Sequence, residues 1–196
     1  MRDLEPLIGE PLALDLVNTR PLGADLLSTP QQLAAWLDLQ NGRLSESLSS
    51  PAGEDLAAVR AVREYLTAAV EALLRGERPP AAALRGLEDA REAAPVTRHL
   101  DWNGNAVIAI ARRTGDPGAR VAAELADSAI DLLTDPRISQ LKRCAADDCV
   151  MLFLPTHPRR QWCSPDRCGN RARVARYYQR QKSRSTRDRD AGASDQ

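Results

Sequence analysis

The chain has 196 residues, of which 43% are hydrophobic and 28% are charged, so it is long enough to bury a core and is not a disordered chain by composition. Its apolar runs, such as residues 106–111, are too short to span a bilayer, and its N-terminus lacks the basic start and apolar block of a signal peptide. We therefore expect a cytoplasmic protein of one or two domains with no membrane segment.

The net charge of zero conceals an acidic part and a basic part. Residues 1–136 contain 13 basic and 21 acidic side chains, whereas residues 137–189 contain 14 basic and 4 acidic ones. This asymmetry predicts that the basic part meets a polyanion. Arginine outnumbers lysine along the whole chain, which a GC-rich coding sequence explains more simply than phosphate binding does.

An apolar run at residues 12–17 is predicted to form either a strand or a short helix. Three polar residues, Asp15, Asn18 and Thr19, lie in this apolar context. One interpretation places them in helix caps or a buried hydrogen-bond network. The other places them in a pocket that senses a small-molecule effector.

Four helices are predicted in the acidic part from apolar residues at helical spacing. Capping residues or prolines mark their first turns, and glycine or proline follows their last turns. They begin near Pro30, Glu54, Pro79 and Pro117 and end before Gly42, Gly76, Pro95 and Pro136.

A small β-hairpin is predicted between the third and fourth helices. Residues 96–102 and 105–110 have strand patterns, and Asn103-Gly104 is a two-residue turn signal between them. Trp102, like Trp36 in the first helix, is predicted to lie in the core. The first 136 residues are therefore predicted to be mainly helical with one hairpin.

All four cysteines lie within 25 consecutive residues, in the pattern C-x4-C-x13-C-x4-C. In a reducing compartment, two close pairs joined by a short loop indicate a metal site rather than disulfides or a redox switch. Zinc binds four thiolates as a tetrahedron, and such a closed site is structural. We predict one structural Zn²⁺ bound by Cys144, Cys149, Cys163 and Cys168.

The segment between the two cysteine pairs is predicted to form a strand at residues 150–154 and then an exposed turn that carries His157. Phe153 and Trp162 are expected to fill this small module, whose folding depends on the metal. The arginines next to the ligands are expected to offset the charge of the thiolates. These are Arg143, Arg167 and Arg171.

A basic helix is predicted after Cys168, because no proline interrupts the sequence and arginines recur at steps of three and four residues. Val174 and Tyr178 are expected to pack back on the zinc module. The helix is either a solvated charged face or a nucleic-acid-binding element, and the lack of acids from residue 167 to residue 187 favours the second interpretation. The candidate contacts are Arg159, Arg160, Arg171, Arg173, Arg176 and Arg180.

The last part of the chain resembles the CGNR zinc-finger family. The resemblance lies in RRQWCSPDRCGNRARVARYYQR and in the upstream Cys144-x4-Cys149 followed by Leu152-Phe153. LALDLVNT, residues 12–19, resembles the opening motif of the ABATE domain that members of this family carry. The resemblance implies a bacterial, stress-linked transcription regulator that binds zinc and DNA. The turn at residues 154–158 departs from the Asp/Ser-containing turn of many relatives.

Three segments are predicted: an ABATE-like, mainly helical domain at 1–136, a CGNR-type zinc finger at 137–185 built from a knuckle hairpin and a basic helix, and a disordered tail at 186–196. The predicted function is a DNA-binding regulator whose helical domain senses a ligand or forms a homodimer. The alternatives are an adaptor that binds protein or RNA and a thiol redox sensor. The sequence contains no nucleophile–base pattern or glycine-rich phosphate loop, so no enzyme activity is expected.

Overall fold

The computed structural model describes residues 8–178 and 181. Within them, no helix has the length and apolar character needed to cross a membrane. The prediction of a mainly helical protein with a small hairpin and a C-terminal cysteine module is confirmed. In chain order the elements are α1 (Leu12–Val17), α2 (Pro30–Leu39), α3 (Gly53–Leu74), α4 (Ala81–Glu92), β1 (Val96–Trp102), β2 (Val107–Arg113), α5 (Pro117–Thr134), a 3-10 helix (Pro136–Gln140), β3 (Lys142–Arg143), β4 (Leu152–Phe153), a π-helical turn (Pro165–Gly169) and α6 (170–178).

The helix ends follow the local signals in the sequence. At the start of α2, Thr29 Oγ1 accepts a hydrogen bond from the Gln32 N–H, and Gln32 Oε1 accepts one from the Thr29 N–H. This reciprocal capping satisfies two N–H groups that a helix start leaves unpaired. Gly76 follows α3 with a φ of 72°, a left-handed conformation that ends the helix without steric cost.

The core of the helical part is centred on α3, which packs against α4 and α5. Val59, Val62 and Leu66 of α3 are fully buried there. Helix α1 contacts both α3 and α5, and all six of its residues are buried. Trp36 of α2 is also buried, as predicted.

A buried ion pair connects the loop after α1 to α3. The Arg63 side chain is fully buried, and it donates to Asp25 Oδ1 and Oδ2 at 2.7 Å each and to Thr19 Oγ1 at 2.9 Å. The hydrogen bond from Arg63 lowers the pKa of Asp25 to about 2. Because an unpaired buried charge is strongly destabilising, Asp25 holds this loop against α3.

The hairpin turn lies one residue later than predicted. The Asn103 N–H donates to Ala106 O at 3.2 Å, so Gly104 and Asn105 are the two central residues. Asn103 Oδ1 accepts hydrogen bonds from the N–H groups of Asn105 and Ala106, which makes Asn103 the first residue of the turn. Gly104 has a φ of 96°, as suits the first central position of a type II′ turn.

The second strand is shifted in the same direction, since it runs from Val107 to Arg113 and does not end at Ile110. The prediction that Trp102 lies in the core is wrong, because its side chain is 61% exposed. The hairpin makes no extensive contact with any described helix. Its strands are therefore largely open to solvent on both faces.

Replacing Asp25 with Asn should lower the free energy of unfolding by about 2 kcal/mol, because the buried Arg63 guanidinium then keeps only the more distant Glu64 carboxylate, at 3.5 Å, as a counter-charge. Chemical denaturation at pH 7 measures this. The folded pKa of Asp25 is about 2, below the unfolded value of about 3.9. Its contribution is therefore complete above pH 4 and is lost as the pH falls towards 2, so the difference between native and variant should narrow over that range.

The matched control is Asp131→Asn, which alters an exposed aspartate of α5. It should change the free energy of unfolding by less than about 0.5 kcal/mol. An Asp25→Asn effect as small as that of the control would contradict the role assigned to the buried pair.

Candidate metal centre and adjoining basic surface

Short β pairing positions the first cysteine pair. In β3 and β4, Lys142 lies opposite Phe153 and Arg143 opposite Leu152. The ladder continues by a hydrogen bond from the Cys144 N–H to Met151 O at 2.8 Å. A hydrogen bond from the Ala145 N–H to Gln161 O at 2.9 Å then brings the second cysteine pair beside the first.

The four sulfur atoms form one compact cluster. The Sγ atoms of Cys144, Cys149, Cys163 and Cys168 all lie within 4.8 Å of one another. The distance between Sγ atoms is 3.8 Å for Cys149 and Cys163 and 3.6 Å for Cys163 and Cys168. A tetrahedron with Zn–S bonds of about 2.3 Å separates its sulfurs by about 3.8 Å. The cluster therefore has the donor set and the size that one zinc ion requires.

The thiols cannot all ionise without a cation. Burial raises the pKa of Cys144. A hydrogen bond from Cys163 lowers the pKa of Cys149 to about 5, and the same contact with the Cys149 thiolate raises the pKa of Cys163. Adjacent sulfurs thus compete for negative charge, and a divalent cation removes that competition because it binds all four as thiolates.

Donors from the protein surround the sulfurs. The Cys163 N–H lies 3.5 Å from Cys144 Sγ, and Arg171 Nη2 lies 3.2 Å from Cys168 Sγ. Arg171 Nη1 also donates to Asp148 Oδ2 at 2.7 Å, which fixes the guanidinium in place. Such donors offset the negative charge of a four-thiolate site and orient its ligands.

The other two arginines that were predicted to offset this charge are Arg143 and Arg167. Arg143 forms an ion pair with Glu71 of α3 at 2.7 Å. Arg167 is exposed, and its N–H donates to Ser164 Oγ at the start of the π-helical turn. His157 is exposed in its turn, as expected.

Arg160 was predicted to contact nucleic acid, but its side chain lies inside the module and is bonded there. Its guanidinium donates to Glu10 Oε1 at 2.5 Å and to Cys163 O at 2.7 Å. It also donates to Trp162 O and Leu154 O and lies 4.5 Å from the centre of the Phe153 ring. The guanidinium therefore links the N-terminal segment to the loop that carries Cys163.

Two apolar side chains that were predicted to fill the module, Phe153 and Trp162, do so. Phe153 is fully buried beneath the Arg160 guanidinium. Trp162 packs against the cysteine cluster, next to Gly169. A Cβ at residue 169 would lie 3.5 Å from the Trp162 ring, an ordinary van der Waals contact.

Asn18 joins the helical part to the zinc module. Its Nδ2 donates to Leu152 O at 2.9 Å, and its Oδ1 accepts from the Leu152 N–H at 2.9 Å. Both residues are buried, so this pair satisfies the outward backbone groups of β4 where water has no access. The Leu154 N–H donates to Glu10 Oε2 at 3.1 Å and continues this edge contact.

Asp15 and Thr19 are likewise buried and hydrogen-bonded to other groups of the protein. Asp15 accepts from Arg43 Nη1 at 2.5 Å, although burial raises the pKa of its carboxyl group. Thr19 Oγ1 donates to Leu16 O and accepts from Arg63. Asp15, Asn18 and Thr19 thus each make buried hydrogen bonds, with different partners in the helical part and in β4.

Apolar packing completes the joint between the two parts. Leu141, Leu152 and Leu154 belong to the same buried cluster as the side chains of α1, α3 and α5. The small module therefore does not depend on its metal alone, since one side of β4 lies in the helical core.

Helix α6 leaves the module with a basic and partly apolar surface. Arg173 donates to Asn170 Oδ1, and the Arg176 guanidinium lies 5.7 Å from the centre of the Trp162 ring. The expectation that Val174 and Tyr178 pack on the module is wrong, because they are 54% and 66% exposed. Arg180 and the predicted tail at 186–196 lie outside the described residues.

A groove of about 500 Å³ runs between the first cysteine turn and α6. Trp162 and Arg176 line it together with Gln161, and Asp147 and Asp148 border it at the end near the turn. Gln161 and Glu10 also belong to this site, although neither was expected there. No local pattern marks either, since each reaches the module only through the folded chain.

The fold and the cysteine cluster define a protein with a helical N-terminal domain and a C-terminal zinc finger. Residues 10–136 match the model of the ABATE family, described as "Putative stress-induced transcription regulator", and residues 140–181 match the CGNR zinc finger. The chain belongs to the ABATE family, and its CGNR finger holds one structural zinc ion through the four cysteines. A search of curated proteins found no match to the chain.

Replacing Cys163 with Ser should abolish stoichiometric zinc binding, because it removes one of four ligands from a closed site. Elemental analysis of purified, reduced protein should fall from one zinc per chain to well below one. The matched control is His157→Ala, which should retain one zinc. Loss of zinc in the His157 variant would contradict the four-cysteine ligand set.

Replacing Asn18 with Ala should lower the free energy of unfolding by about 2 kcal/mol, because the Leu152 N–H and C=O stay buried without partners. Hydrogen exchange should also become faster at the Leu152 amide. The control is Asn105→Ala in the exposed hairpin turn, which leaves β4 unchanged. Unaltered protection of Leu152 in the Asn18 variant would contradict the proposed connection.

Proposed function

We propose that the protein is a transcription regulator, active in the cytoplasm, whose CGNR finger binds duplex DNA through α6. The observation that supports this most directly is the exposure of Arg159, Arg173 and Arg176. Among the described residues, none of these three guanidinium groups pairs with a carboxylate. Exposed arginines without acidic partners are suited to phosphate oxygens, which they bind with two parallel hydrogen bonds.

The geometry of α6 supports a helix laid against DNA. Arg173 and Arg176 are three residues apart, so they lie on one side of the helix. The zinc cluster anchors the first turn of α6, and stacking on Trp162 restrains Arg176. The major groove admits a helix of this kind, with phosphate contacts for position and base-edge contacts for specificity.

The charges around the groove support one orientation of the finger. Asp147 repels phosphate at the end near the cysteine turn, where Asp148 is paired with Arg171, whereas Arg173 and Arg176 attract phosphate along α6. The acidic helical part, with 21 acidic and 13 basic residues up to position 136, repels the same polyanion. DNA would therefore approach from the α6 side.

The proposed role is not enzymatic, because a zinc ion with four cysteine ligands has no position for water or substrate. Regulation by a small-molecule effector would require that the effector favour one arrangement of the finger over another. The residues that hold the finger against α1, chiefly Asn18 and Glu10, are the contacts such an effector would change.

A second candidate function is the binding of single-stranded nucleic acid. It is favoured by Tyr177 and Tyr178, which are 58% and 66% exposed at the end of the described part of α6. Exposed aromatic rings stack on unpaired bases, and adjoining arginines bind the backbone. Comparison of the two nucleic-acid forms in one assay separates the candidates.

The test is a salt titration of full-length, zinc-loaded protein with a pool of random-sequence duplexes. With about six phosphate contacts, the logarithm of the binding constant should fall against log salt with a slope of about −5. The Arg173→Ala, Arg176→Ala double variant should reduce this slope by about 2 while keeping its zinc.

The charge-matched control is Arg78→Ala with Arg85→Ala, two exposed arginines of the helical part, which should leave the slope unchanged. The duplex proposal fails if the protein has no salt-dependent affinity for any duplex in the pool. Tighter binding to the separated strands would favour the second candidate.

A further inference from the structure

The β1–β2 hairpin carries an apolar face that the described residues leave uncovered. Val96, Leu100, Trp102 and Val107 are between 51% and 79% exposed. Trp102 lies opposite Val107, and alternate residues of β1 share a face, so these side chains are on one side of the hairpin. A two-stranded hairpin without further strands is at best marginally stable in water, and contiguous exposed apolar patches mark interaction sites.

The outer edge of β1 is open for pairing. The Asn103 N–H donates to Ala106 O and the Thr114 N–H donates to Pro95 O, so residues 95 and 103 direct their backbone groups towards the opposite strand. Because bonded and non-bonded pairs alternate, the backbone groups of residues 96, 98, 100 and 102 point away from β2. The Trp102 N–H is capped by Asp101 Oδ1 at 2.8 Å. Within the described chain, the N–H groups of Arg98 and Leu100 have no partner.

We propose that the outer edge of β1 pairs antiparallel with β1 of a second copy of this chain, so that two hairpins form a four-stranded sheet. β1 is the more open strand, with six of its seven residues exposed against four of seven in β2. The pairing provides partners for the outward backbone groups and brings the exposed side chains of the two copies together. It also provides the third and fourth strands that independent stability requires.

Charge complementarity selects one register. A two-fold axis at Leu100 places Arg98 opposite Trp102 of the second copy, a cation–π pair, and His99 opposite Asp101 of the second copy. A two-fold axis at Arg98 would place the two Arg98 guanidinium groups opposite each other. An axis at His99 would place the two imidazoles opposite each other and Asp101 opposite Thr97. Only the Leu100 register aligns attractive pairs on both faces of the sheet. Asp101 then exchanges its contact with the Trp102 N–H for one with His99 of the second copy.

Such a dimer carries two zinc fingers in one particle. Two-fold symmetric proteins bind two half-sites, so the pairing would extend the proposed DNA-binding role to paired sites. The pairing itself does not depend on DNA binding, because its contacts lie in the helical domain's hairpin. Oligomeric state and DNA affinity are therefore measured separately, and either proposal can fail without the other.

The first experiment is sedimentation equilibrium of full-length, zinc-loaded protein, which should give a dimer at about 20 µM. Leu100→Lys places two ammonium groups on the axis and should weaken dimerisation at least about 100-fold, giving a monomer. The control is Leu22→Lys, since Leu22 is 68% exposed in a loop remote in sequence from the hairpin. It should remain dimeric.

The second experiment tests the register. His99→Asp should weaken the dimer because it places a second carboxylate opposite Asp101, and adding Asp101→Arg should restore the dimer because residues 99 and 101 then carry opposite charges. One zinc per chain and unchanged helix content confirm that each variant is folded. The proposal is overturned if the native protein is monomeric or if the Leu100→Lys variant is dimeric. It is also overturned if the Leu22→Lys variant is monomeric or if the double variant does not recover the dimer.

Discussion

The convergence of four cysteine sulfurs on one point is the constraint on which the C-terminal part depends. Sulfurs this close do not all carry negative charge without a cation, because adjacent thiolates repel one another. The zinc ion therefore fixes the two cysteine turns relative to each other. Everything proposed for the finger follows from this, because the last ligand, Cys168, lies directly before α6 and sets where its arginines are presented.

The finger is not attached to the helical domain by the chain alone. The Asn18 side chain hydrogen-bonds the outward backbone groups of β4. The Arg160 guanidinium hydrogen-bonds both the Glu10 carboxylate and the carbonyl group of Cys163. Leu152 and Leu154 lie in the core built by the helices. A change in the position of α1 would therefore reach the metal-binding loop through two hydrogen-bonded steps, which gives the proposed regulator a direct physical route between its two parts.

Local signals predicted the elements whose ends depend on nearby residues. Thr29 and Gln32 cap α2 through contacts between residues three positions apart, and Gly76 ends α3 through its own backbone conformation. Neither feature depends on how the helices pack. The hairpin turn was displaced because the Asn103 side chain captures the two following N–H groups, a choice that the Asn-Gly pair alone does not decide. Trp102 and Val174 were expected to be buried because they are apolar, but no part of the chain that the structure describes covers them.

The sequence by itself determined the metal centre, since four cysteines at this spacing and no others leave one plausible tetrahedral set. It also determined the helices and the charge asymmetry, because these follow from periodicity and composition. Only the tertiary structure decided which polar residues hold the parts together. Asn18 and Leu152 are 134 positions apart, and Glu10 and Arg160 are 150 apart, so their contacts depend on how the helices pack and leave no pattern along the chain.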